Sequence, residues 1–311
     1  MVKWPIRIVV LLVVIAGGLF WWLMLSGSKA PAQAPGVIDI AAVRALADAP
    51  ADQRATAVRI IETGHDRAPN FAIVAGRFGG DSAMSYNSVE LELPDRRIVL
   101  GGAVDAATAE AMQQTPQAAF SQANYDALLS AINAADQVLI THEHLDHVMA
   151  VARHPAPGTI AQSLRLNPPQ FEAMSLFQNA DQTAAWETAG LNAALAFELQ
   201  AIAPGVVIIP SAGHTAGSQM VYVHTASDHE LLFIGDIAWN LAAIEALTTR
   251  PILTQYVVFE PNEQRDAVKA QLRALYDLAA AEPDIAIIPS HDRENLAALE
   301  ADGRITFIEA E

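Results

Sequence analysis

The sequence predicts an α+β fold, a four-layer αββα sandwich preceded by one N-terminal transmembrane helix. Three observations predict it. Short apolar strand candidates and helical stretches run in the order strands, helix, strand, and then the same order again, which suggests two sheets with helices on their outer faces. Three histidines and an aspartate crowd into six residues directly after one apolar run. An unbroken apolar stretch opens the chain.

That stretch, Ile8 to Leu25, is 18 residues without a polar side chain. As a helix it would span about 27 Å at roughly 1.5 Å per residue, close to the hydrocarbon thickness of a bilayer. Trp4 stands at one end and Trp21 and Trp22 at the other, where aromatic rings favour the interface. Lys3 and Arg7 precede the run, so charge bias places the N-terminus in the cytoplasm and the body on the outer, periplasmic side. Residues 1–26 are thus expected to form a single-pass anchor. The rival reading is a cleaved signal peptide, with Ala30 to Ala34 as the small-residue site. Residues 27–37 read as a Ser/Pro/Ala/Gly linker, and residues 38–311 as the folded domain.

Within the domain, residues 38–62 read as amphipathic helix, with Ile40, Val43, Leu46, Val58 and Ile61 buried and a break near Pro50. Phe71–Ala75, Ser88–Leu93 and Ile98–Gly101 are strand candidates, the last two joined by a turn over 94–97. Gly79-Gly80 reads as a hairpin tip near the site. A helix is expected over Ala123–Ala134 and a buried strand over Gln137–Ile140. The stretch of about 155–200 reads as an inserted helical pair. Strands follow at Val206–Ile209, Met220–Val223 and Glu230–Ile234, then helices near 239–248 and 262–281. A strand at Ile285–Ile288, a helix after Asp292 and a strand at Ile305–Ile308 end the chain.

Composition narrows the chemistry. The 311 residues contain no cysteine, which excludes disulfides, thiolate metal sites and a cysteine nucleophile. The formal charge is −17. Lys3, Arg7 and Lys29 are the charged residues of the first 35, so residues 36–311 carry fifteen Lys and Arg against all thirty-five acids, a net −20. Such a body repels a phosphate backbone, and no nucleic-acid partner is expected.

The crowded segment is Thr141-His142-Glu143-His144-Leu145-Asp146-His147. On extended backbone His142 and His144 point the same way, while Asp146 and His147 at the turn into a helix face a second point. That pattern suits two adjacent cations with nitrogen and oxygen ligands. His214, in Gly213-His214-Thr215-Ala216-Gly217-Ser218, follows a predicted strand, as do Asp236 after Gly235 and His291 after Ser290. Ligands at the ends of several strands converge on one sheet edge.

An HxHxDH motif, then GHTxGS, then strands ending in GD and SH, resembles the metallo-β-lactamase-fold metallohydrolase superfamily over about residues 70–310. The resemblance implies that His142, His144 and His214 hold one metal, that Asp146, His147 and His291 hold a second, and that Asp236 bridges both. It implies two divalent ions, zinc suiting the ligands and iron or manganese also compatible, and a hydroxide that attacks a small-molecule substrate, with Asp146 also moving the proton. The bridging Asp236 argues against β-lactam hydrolysis. An ester, lactone or thioester fits the acidic body. A phosphodiesterase or ribonuclease of the same fold, and a metal-binding regulatory protein without turnover, remain the alternatives. Met174, Phe177, Trp186 and Phe197 are offered as walls of an acyl pocket or as helix core. Many members carry an acid-Thr-Gly turn where this chain has Gly101-Gly102-Ala103-Val104-Asp105. Either Asp105 supports the site from a shifted position or the support differs. Glu143 is expected to make a supporting hydrogen bond, Asp292 to orient His291 or cap a helix, and Trp239 to wall the pocket or pack. His65, His154, His224 and His229 read as surface or turn residues. The oligomeric state is open.

Overall fold

The computed structural model describes residues 3–259 and 263–308. The first two residues of the expected anchor, residue 262 of the expected helix 262–281, and residues 309–311 of the expected domain lie outside them. Twelve strands are described: β1 (Ala57–Pro69), β2 (Asp81–Glu92), β3 (Arg97–Leu100), β4 (Ala119–Phe120), β5 (Gln137–Leu139), β6 (Leu164–Arg165), β7 (Gln200–Ala203), β8 (Val206–Pro210), β9 (Gln219–His224), β10 (Glu230–Phe233), β11 (Ile285–Ile288) and β12 (Thr306–Phe307). One sheet runs β12-β1-β2-β3-β5-β6, with β4 paired to β1, and the other runs β11-β10-β9-β8-β7.

Period-two alternation sorts the strand side chains into layers. Ile60, Leu91, Leu139, Val206, Ile208 and Phe233 meet in one buried cluster between the sheets. Their neighbours face the other way. Ile61, Val138 and Ile140 pack with Leu128, Ile132, Val148 and Val151 from helices Gln122–Ala134 and Leu145–Ala152. Val207, Ile209 and Tyr222 pack with Val268, Leu272 and Leu275 from helix Arg265–Ala281. Two sheets share a buried apolar interface and each carries helices on its outer face, as the order of elements predicted.

Two expectations near the start of the domain fail. The helix ends at Ala47, capped at its start by Asp39, and β1 begins at Ala57. Val58 and Ile61 are therefore strand residues, in a segment whose β-branched side chains favour extended backbone. Phe71–Ala75 is no strand. Asn70–Ile73 is a helical turn in the connection from β1 to β2, and Gly79-Gly80 closes that connection with Asn70 donating to the Gly79 carbonyl at 3.0 Å.

The stretch 155–200 holds more than a helical pair. Helices Pro157–Ile160, Pro168–Ala173 and Ala180–Ala189 flank β6, which pairs parallel to β5. Met174 and Trp186 are each 3% exposed in the cluster under the first sheet, and the Trp186 indole donates to the Ala152 carbonyl at 3.0 Å. Phe177 packs partly buried against the same cluster. The core reading of these residues therefore prevails over the acyl-pocket one.

Helix Lys3–Met24 is one continuous helix. The most apolar window of its Trp4–Met24 stretch has mean hydropathy 2.4, and none of that window is buried. The residues after it do not float free. Ser28 is fully buried, its carbonyl accepts from the Thr249 amide at 2.9 Å, and Arg265 donates to its hydroxyl at 3.1 Å. Lys29 bridges to Thr248, and the Ala30 amide donates to the Leu247 carbonyl at 2.9 Å. Composition could not reveal this, because backbone groups do the pairing.

Replacing Trp186 by Ala should cost about 3–5 kcal/mol, the usual range for a buried tryptophan, measured by denaturant unfolding. A pocket wall would instead alter KM with little loss of stability.

Candidate metal centre

Each ligand-bearing loop leaves an apolar strand at the same edge. β5 ends at Leu139, and His142 and His144 follow on backbone that turns into helix Leu145–Ala152, whose first turn carries Asp146 and His147. His214 follows β8, Asp236 lies in the short turn Gly235–Ile237 after β10, and His291 follows β11.

The structure brings all seven expected residues together in two groups. His142, His144, His214 and Asp236 form one, and Asp146, His147, His291 and Asp236 the other, with ligand atoms in each group within 4.8 Å of one another. Asp236 faces both ways. Its Oδ2 lies 3.6 Å from His214 Nε2 and 3.8 Å from His142 Nε2, while Oδ1 lies 3.4 Å from His147 Nε2 and 3.2 Å from His291 Nε2. Asp146 Oδ2 completes the second group, 3.4 Å from His291 Nε2.

The donor set fits two cations. His142 Nε2, His147 Nε2 and Asp236 Oδ1 are buried without a hydrogen-bond partner among the described residues, an arrangement that costs free energy unless something else satisfies them. Burial, then the neighbouring imidazoles, holds His142 and His144 well below the usual histidine pKa. They are neutral at pH 7, as metal ligation requires. Burial alone would push His291 down as well, but the Asp236 carboxylate overcomes it, helped by Asp146, and lifts its pKa to about 9.

Around the ligands lies a shell of oriented polar groups. The Trp239 indole donates to Asp236 Oδ2 at 2.8 Å, so Trp239 does more than pack. His291 Nδ1 meets the Ser85 carbonyl at 2.9 Å, which directs Nε2 to the site. Glu143 spans the two motifs, accepting from the Gly217 amide at 2.8 Å and the Thr215 hydroxyl at 2.7 Å. The Gly217 carbonyl accepts from Asn167 and Gln170. A Cβ at Gly217 would sit 2.7 Å from Gln170 and from Glu143, so only glycine fits.

Sequence reasoning missed Arg250 and Glu263. Both are buried and lie 2.6 Å apart. Arg250 donates to the Asp236 carbonyl at 2.9 Å, and Glu263 Oε1 lies 3.5 Å from His214 Nδ1. Against the penalty of burial, Arg250 holds the Glu263 carboxyl down to about 2, so Glu263 is a carboxylate able to accept the His214 Nδ1 proton. Neither residue belongs to a motif, and only the fold places them. Asp105 does not support the site directly. It caps helix Ala106–Met112 and pairs with Arg153 at 3.0 Å. The support is backbone instead: the Gly102 amide donates to the His147 carbonyl at 2.6 Å, and a Cβ on Gly102 would meet Val148 at 2.9 Å.

Asp292 is a cap, accepting from the Asn295 amide at 3.0 Å, and its other oxygen accepts from Leu241. His154 is buried rather than superficial, accepting from the Ala156 amide at 3.2 Å. His65 and His224 are half-exposed and pair with Glu62 and Asp228, and His229 sits at the turn into β10.

Two sheets with outer helices and ligands on one edge set this architecture. The chain has the metallo-β-lactamase fold. Among solved structures it is similar to a quorum-quenching N-acyl homoserine lactone lactonase, with TM-score 0.59 and 14% identity over 82% of this chain and 98% of that one. It is also similar to AiiA of B. thuringiensis, solved as a variant with N-decanoyl-L-homoserine at the active site, at TM-score 0.58 and 13% identity over 79% of this chain and 96% of that one. A third similar structure is AidC, a dizinc quorum-quenching lactonase, at TM-score 0.50 and 12% identity over 75% and 86% of the two chains. No family model matches the sequence, and no curated protein is significantly similar to it.

Elemental analysis should approach two equivalents of metal per chain. His142→Ala should lose chiefly one ion, His291→Ala the other, and Asp236→Ala should weaken both. Glu263→Gln should lower affinity about 10–100-fold, the usual effect of losing a carboxylate behind a ligating histidine, read by competition with a chelator. His291 is protonated below about pH 9 in the metal-free protein, so filling the second group at pH 7 should release a proton and weaken steadily as pH falls. Proton release on zinc titration in weak buffer measures it.

Proposed function

We propose that this chain is a membrane-anchored, dinuclear metal-dependent hydrolase of an ester, lactone or thioester. The observation that carries the reading is Asp236, one buried carboxylate shared by two groups of imidazoles, in which His142 Nε2 and His147 Nε2 find no hydrogen-bond partner among the described residues. Two divalent cations held there, zinc in the first instance, would acidify a water and polarise the attacked carbonyl.

The remaining work falls to the protein. The Asp236 side chain is 1% exposed, so it holds geometry and exchanges no protons with solvent. Asp146 is 15% exposed beside His291 and is the carboxylate able to take a proton from the attacking water and return it to the leaving alcohol. Tyr86 meets the His291 ring edge-on, with centroids 5.8 Å apart. Burial first, and the Asp146 charge second, push its phenol pKa up and keep it protonated. Tyr86 also lines a cavity of about 200 Å³ with Asp66, Glu110 and Phe120. Two carboxylates in that wall suit a neutral substrate better than a phosphodiester. The lactonase neighbours, one holding the product N-hexanoyl-L-homoserine at its catalytic metal centre, support a lactone or related ester.

The anchor reading rests on the exposed helix Lys3–Met24 and on Lys3 and Arg7 at its start, which favour a cytoplasmic N-terminus and a domain on the outer face.

Metal-loaded protein should cleave a lactone, thioester or simple ester faster than a phosphodiester or RNA on a common panel, and the reverse order would overturn the substrate class. Asp146→Asn should lower kcat by about 10²–10⁴-fold, the range for losing a proton-transfer group, with an unchanged circular dichroism spectrum. Full-length protein should resist salt extraction from membranes, and its domain should be digested by protease added to intact spheroplasts. Loss of the first thirty or so residues from the mature chain would favour a signal peptide instead.

A further inference from the structure

The face of the domain beside the anchor helix is unlike the rest of its surface. The helix end meets two segments, the β1–β2 connection and residues 252–258. Phe20 stacks on Phe78 at 5.8 Å, and Trp22 lies against Tyr256 at 6.3 Å. Leu25 reaches within 3.2 Å of a Cβ at Gly76, and Ile252 within 3.6 Å of one at Gly27. The helix is thus docked on the domain, and the buried Ser28 strip fixes the join.

Beyond those contacts the two segments present large apolar side chains to the outside. Phe78 is 54% exposed, Tyr256 57%, Val257 73% and Val258 52%. A soluble domain rarely groups such residues without a partner. Charge singles out the same place. Residues 70–80 and 246–259 contain no Asp or Glu, in a body of net charge −20, and Arg77 stands beside Phe78. Carboxylates are costly to bring into a bilayer, while aromatic rings favour the headgroup layer.

We propose that Phe78, Tyr256, Val257 and Val258 form a collar that seats in the interfacial layer of the leaflet from which the anchor helix emerges. This rests on the anchor reading above, and its occupant is lipid because the patch is continuous with the candidate span. The domain then sits flush on the membrane in one orientation, rather than standing off on a flexible tether. Both collar segments lead into the metal centre. The β1–β2 connection enters β2, whose Ser85 carbonyl holds His291, and residues 252–258 follow Arg250, which holds Asp236. The seat therefore fixes the orientation of the metal centre relative to the bilayer.

The absence of cysteine makes single labelling clean. Full-length protein with one fluorophore at Phe78→Cys, Val257→Cys, Val10→Cys or Ser227→Cys would be reconstituted into phosphatidylcholine vesicles containing a doxyl lipid, with metal content checked for each variant. Val10 lies in the anchor helix. Ser227 lies in the β9–β10 hairpin, at the end of β10 remote from Asp236. Labels at 78 and 257 should be quenched several-fold more than the label at 227. Quenching at 10 with none at 78 and 257 would overturn the collar and leave the anchor standing. A label at 10 that only aqueous quencher reaches would overturn both.

Discussion

A carboxylate stripped of water among imidazoles is the constraint on which the rest of this molecule turns. Asp236 has both oxygens within 4 Å of ligand nitrogens, a carbonyl tied to Arg250 and an indole proton on Oδ2. A charge so buried is tolerable only when it is paired and oriented. The two sheets supply the rigidity. Asp236 lies where β10 ends between β9 and β11, in the sheet that also delivers His214 and His291, and His142 where β5 ends between β3 and β6, so the two sheets bring their ligands to one edge.

Much of this was written in the sequence, for a physical reason. Strands β5, β8, β10 and β11 are apolar runs buried on both faces, and each ends where a His or Asp begins a loop, so chemistry and periodicity mark the same positions. Period-two reading fails where the pattern is mixed. β1 alternates Arg59, Glu62 and Asp66 with apolar residues along a long strand, and its first half passes for a helix face. The helices of 155–189 show the opposite difficulty. Trp186 and Met174 looked suited to a pocket because apolar side chains suit pockets and cores equally, and only the packing against Val148 and Val151 decides.

The supporting residues were the least legible. Arg250, Glu263 and Trp239 act through hydrogen bonds and ion pairs from loops, and no spacing rule connects residue 250 to residue 214 or residue 263 to a histidine ring. The same holds for residues 26–30. Their composition is that of a tether, yet the backbone of Ser28, Lys29 and Ala30 completes a pairing with 247–249. Side-chain character alone cannot report where main-chain donors and acceptors find partners.

That pairing, together with the parallel match of β1 to β12, sets an order of assembly. Ser28 meets Arg250 across 222 residues, and Arg59 stands opposite Thr306. Contacts this distant in sequence form late. During synthesis, from the N-terminus onward, β1 waits for the stretch that carries β11 and β12 to leave the ribosome. His291 lies in that stretch. The second group of ligands is therefore incomplete until that stretch has emerged, long after Asp146 and His147 have been made.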